Sequence, residues 1–171
     1  MRFHWIATCL VITLFAGLAF ATDQEQKQQA AENKAEVLEQ KAADNPSPAP
    51  APKSEAITQS EVQAVDPAGV APLDDAITCL ARSIYWEAKG KDAVDMEAVA
   101  NVVMNRLGHK GFPDTVCGVV KQGSETKSCQ FSWWCDGRSD SVQEEVPYAL
   151  AKEIARKALN KQLPDRTSGA L

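Results

Sequence analysis

Six of the nine prolines fall between Asn45 and Pro72, at positions 46, 48, 50, 52, 67 and 72. Proline fixes φ and removes a backbone donor, so neither a long helix nor a central strand can run through that stretch. The preceding residues, Thr22 to Asp44, are rich in Gln, Glu, Lys and Ala, with Val37 and Leu38 the only large aliphatics. Across 22–72, four lysines face nine acidic residues, a net charge of −5. Such a segment buries too little apolar surface to offset the entropy of ordering a chain. The expectation is therefore a disordered linker over 22–72, Gln/Glu/Ala-rich and then Pro/Ala-rich, acting as a semi-stiff tether.

Ahead of it, residues 1–21 have the form of a secretory signal. Arg2 gives a positive start, Ile6 to Phe20 is an apolar run, and Ala19-Phe20-Ala21 fits a small-x-small cleavage site. The run is short for a membrane span, so no stable span is expected after cleavage. Export to the periplasm or to the cell wall and extracellular space follows.

One small domain is left, over 73–171. Its thirteen basic and fourteen acidic residues leave it near neutral, which gives no sign of a nucleic-acid partner. It holds Cys79, Cys117, Cys129 and Cys135. An even count in an exported domain implies two disulfides, and three pairings are open. A zinc site is the competing reading, with no Cys-x2-Cys pair in its support. No metal or other cofactor is expected.

Asp74 or Asp75 can cap a helix running to about Ala88, with Gly90 as its stop. Its apolar face is Ile77, Leu80, Ala81, Ile84, Tyr85 and Ala88. At about 100° per residue, Glu87 falls some 20° from Leu80, on the margin of that face. Asp92 can cap a second helix to about Leu107, in which Arg106 falls on the apolar face and there needs a partner or a route to solvent. A short element follows through Val120. Residues 121–140 should form an irregular loop with at most a short hairpin, and a last helix fits 146–159. The expected class is α+β, predominantly helical.

Glu87 is the strongest candidate for chemistry. Partial burial and a helix C-terminus both raise a carboxyl pKa. A glutamic acid kept protonated can donate to a leaving oxygen, which suits cleavage of a glycosidic bond. Second carboxylates could come from Asp92, Asp95, Asp114 or Asp136, though the first two suit helix starts and Asp136 suits a turn. Gln130, Ser132 and Trp134 are candidates for a sugar-binding groove, and one of Trp133 and Trp134 should be structural. Only His109 survives removal of the signal, in a Gly-His-Lys-Gly turn. Histidine-ligated zinc hydrolases, Ser-His-Asp triads and Cys-His peptidases therefore lack parts.

Four ordered blocks carry a resemblance: Cys79–Gly90 with Tyr85-Trp86-Glu87-Ala88-Lys89-Gly90, Val99–Arg106, Gly111–Val120, and Cys129-Gln130-Phe131-Ser132. Together they resemble the cell-wall hydrolase family of the spore-cortex-lytic enzyme SleB. The resemblance implies a lysozyme-like or lytic-transglycosylase-like fold, peptidoglycan strands as substrate, and Glu87 as catalytic acid. A single glutamate acting as acid and then base would account for the lack of a clear second carboxylate. Lys91 stands where the family often has a glutamate. The family's domains usually continue beyond the position of Leu171, so a C-terminally incomplete domain is expected. The expected activity is that of a monomeric lytic transglycosylase or muramidase. A non-catalytic peptidoglycan-binding module is the alternative.

Overall fold

The computed structural model describes residues 4–45, 49–126 and 128–171, with side chains from Thr22 onward. All of the expected signal, 1–21, therefore lies outside the described side chains. Among the described residues the chain forms six α-helices, two single-turn 3-10 segments and no strand. The helices are α1 (His4–Asp44), α2 (Gln59–Ala64), α3 (Ala76–Glu87), α4 (Ala93–Arg106), α5 (Val116–Lys121) and α6 (Glu145–Leu159). The 121–140 stretch is irregular as expected and holds no strand among its described residues, so the predominantly helical expectation stands without its β part. No helix among the described residues is long and apolar enough to cross a membrane.

The larger difference lies over 22–45 and 49–72, expected as a disordered tether: the described residues there include helices and pack on the domain. Within α1, Ala31, Ala35, Leu38 and Ala42 recur at helical spacing and are all buried in the common core. Alanine is the strongest helix former, and same-face pairs such as Gln28 with Glu32 and Gln40 with Asp44 support the outer surface. Small side chains let α1 approach closely. A Cβ at Gly108, whose φ is +68°, would sit 2.5 Å from the Ala43 carbonyl oxygen.

The proline-rich stretch is also held. Asn160 is fully buried, and its side chain donates to the Ile57 carbonyl and accepts from the Ile57 N–H, both at 2.9 Å. Lys152 donates to the carbonyls of Gln63 and Val65. These bonds fasten the segment to α6, so its backbone groups are satisfied without a ladder. Thr58 and Glu61 form a capping box on α2.

α3 is the central helix. Every residue from Ala76 to Tyr85 is buried, and α1, α4, α5 and α6 pack around it. Asp75 caps it by accepting from the Thr78 N–H. Asp92 caps α4 in the same way, from Val94 and Asp95. The cysteines pair as Cys79–Cys117, which ties α3 to α5, and Cys129–Cys135, which closes a six-residue loop separation.

Candidate active site

Glu87 is the last residue of α3, and Ala88 is its C-cap. Gly90, at φ +78°, then takes the chain into the left-handed region that turns it away. The Glu87 side chain is exposed on one side, which leaves it open to a substrate. Burial of its other side pushes the carboxyl pKa up, and the Ser132 backbone N–H, which hydrogen-bonds it, pulls part of the way back.

Ser132 begins the 3-10 turn Ser132–Trp134, inside the loop closed by Cys129–Cys135. Gln130 and Ser132 are exposed, whereas Phe131 and Trp133 are buried. Alternation of this kind turns every second residue outward. Trp133 is the structural tryptophan, and Trp134 stays half-exposed with its ring 6.2 Å edge-on from that of Trp133. Lys121 lies over the Trp134 ring, with its ammonium 5.3 Å from the ring centre while donating to the Leu73 carbonyl. The structure thus brings Glu87 directly to Ser132, with Gln130 and Trp134 on the same loop.

On the other side of Glu87, Trp86 donates from Nε1 to the Asp140 carbonyl at 3.2 Å. Arg82 donates to the same carbonyl and forms a buried pair with Asp66 at 2.8 Å. Asp66 also accepts from Tyr148 and from the Val70 and Ala71 N–H groups. Tyr85 donates to Glu144, and Lys89 pairs with Glu144 while lying 4.8 Å from the Trp86 ring centre. The C-terminal end of α3 is therefore braced by the 140–144 segment.

The cell wall hydrolase family model matches residues 90–171. Over those residues the chain is similar to the cell wall hydrolase family. A spore cortex-lytic enzyme of Halalkalibacterium halodurans is 35% identical over 98 residues, covering 57% of this chain and 26% of that protein. A spore cortex-lytic enzyme of Oceanobacillus iheyensis is 46% identical over 44 residues, covering 26% of this chain and 16% of that protein. The chain thus spans about a quarter or less of these relatives. No solved structure matches it.

Within the cell wall hydrolase segment lie Gln130, Ser132 and Trp134, while Glu87 stands three residues ahead of it. Asp92 serves as a helix cap, as its position in the sequence suggested, and Asp136 accepts from the Arg138 N–H in a local turn. Sequence reasoning missed the Asp66–Arg82–Asp140 chain that underlies this end of the domain. Its members are separated by 16 and 58 residues, and no local spacing signals them.

Proposed function

We propose that this chain is an exported peptidoglycan glycosidase, a lytic transglycosylase or muramidase, with Glu87 as its acid. One observation carries the reading. Glu87 combines an open face with a raised pKa at a loop that carries exposed Gln130 and Ser132 and half-exposed Trp134. A protonated glutamic acid donates its proton to the glycosidic oxygen as the bond to the sugar's anomeric carbon breaks. In the transglycosylase case, the resulting carboxylate accepts the proton of the muramic 6-hydroxyl as that oxygen closes on the anomeric carbon. One carboxylate thus serves both halves, and no water is consumed. In the muramidase case, water takes the place of the hydroxyl.

Trp134 offers a sugar-stacking face, and Gln130 and Ser132 offer hydrogen bonds. The apolar run at 6–20 and the paired cysteines support export. Glu87→Gln keeps the shape and removes the acid. Clearing of a purified cell-wall suspension should stop in that variant with its helical circular dichroism unchanged; undiminished clearing would remove Glu87 from the mechanism.

A further inference from the structure

Arg106 is the one charge that the sequence put on an apolar helix face, and the structure gives it no counter-charge. Among the described residues it forms no ion pair. Its Nε is buried and without a hydrogen-bond partner. Its guanidinium carbon lies over the faces of two rings, 5.4 Å from the centre of Phe112 and 5.6 Å from that of Phe131. Leaving a half-buried cation unpaired is costly, and burial accordingly pushes its pKa down. The rings occupy its faces and Nε is enclosed, so what stays available is the outer edge of the planar group, where the two Nη groups donate side by side. That edge matches a carboxylate.

One of the two rings under Arg106 belongs to the loop that reaches Glu87. Phe131, one of its two rings, stands between Gln130 and Ser132, and the Ser132 N–H is the group that reaches Glu87. Resting on the glycan reading above, we propose that Arg106 binds a carboxylate carried by the peptidoglycan strand and so makes the domain prefer carboxylate-bearing glycan. Two sources carry that chemistry: the stem peptide, and the lactyl group that is freed when the stem is removed.

The experiment measures binding of soluble glycan fragments by calorimetry to the full chain, in a Glu87→Gln background so that strands stay intact. Three ligands separate the sources: stem-bearing strands, amidase-stripped strands with free lactyl carboxylates, and carboxylate-free chitooligosaccharides. The parent should bind at least one carboxylate-bearing ligand more tightly than the chitooligosaccharide. Arg106→Gln should weaken that ligand roughly tenfold or more, the size of a lost charge-assisted hydrogen bond, and leave the chitooligosaccharide unchanged. Arg106→Lys, which keeps the charge but not the planar edge, should recover only part. Loss confined to stem-bearing strands assigns the peptide; loss confined to stripped strands assigns the lactyl group. Equal binding of all three ligands by the parent overturns the proposal even if the variants fail to fold, as does Arg106→Gln binding like the parent. Failure of the parent to bind any of the three would overturn the glycan reading itself, and this inference with it.

Discussion

Replacing Asp66 by asparagine tests whether the segment before residue 73 belongs to the fold. Asp66 and Arg82 have side chains only 1% and 3% exposed, and the carboxylate collects donors from Arg82, Tyr148, Val70 and Ala71. Asp66→Asn keeps the volume but leaves the Arg82 guanidinium buried without its counter-charge. Breaking one partner of a buried pair costs about 3–5 kcal/mol. For a folded unit of this size, each kcal/mol moves the melting temperature by about 2–4 °C, so the drop should be roughly 6–20 °C. Calorimetric unfolding of the full chain measures it. The effect should also depend on pH. Burial raises the Asp66 carboxyl, but the Ala71 N–H, the Tyr148 hydroxyl and Arg82 outweigh it and hold its pKa below the ordinary 3.8. A carboxyl with a lowered folded pKa contributes stability that is present above its unfolded pKa and fades as pH falls through the folded one. The gap between parent and variant should therefore be full near neutrality and shrink below about pH 4. A drop under about 2 °C at neutral pH would show that Asp66 does not anchor the segment, because a residue in a loose spacer would give that result.

Three further outcomes follow from the same structure. Leu38→Ala on α1, where Leu38 is 5% exposed, should cost about 2–4 kcal/mol in urea unfolding, whereas the same change at exposed Val37 should cost little. Removing Cys79–Cys117, which spans 38 residues, should cost about 4 kcal/mol by the chain-entropy relation, while removing the short Cys129–Cys135 link should lower activity more than melting temperature. The proposed role of Glu87 as a protonated acid, with its pKa raised, predicts that kcat/KM falls as pH rises through a value above that of an ordinary glutamate, 4.5; a profile flat from pH 4 to pH 9 would contradict this.

How much of this was legible in the sequence depends on the range of the interaction. Asp75 and Asp92 cap α3 and α4 where the pattern put them, because a cap reads its own next three residues. The apolar spacing of α3 survives in the fold because its face is made of large side chains. α1 escaped for the opposite reason. Its buried face is Ala31, Ala35, Leu38 and Ala42, and alanine hardly raises the hydrophobicity of a segment that is otherwise Gln, Glu and Lys. The proline-rich stretch was legible as non-helical in its middle but not as folded, since Asn160 pairs with Ile57 across 103 residues. At the site, Glu87 and the loop 130–134 were both visible, and the division of labour between Trp133 and Trp134 became visible only with burial. Arg106 was marked by its helical spacing as a charge in need of a partner, and the two phenylalanine rings beside it could not be read from that spacing.

The proposed role of Glu87 in cleaving the glycan strand is open to a decisive measurement. Mass spectrometry of purified peptidoglycan incubated with the full chain and with Glu87→Gln reads the new ends. New 1,6-anhydro or reducing muramic ends should appear with the parent and be missing with the variant. Peptide fragments with intact glycan, or the same new glycan ends from both proteins, would contradict it.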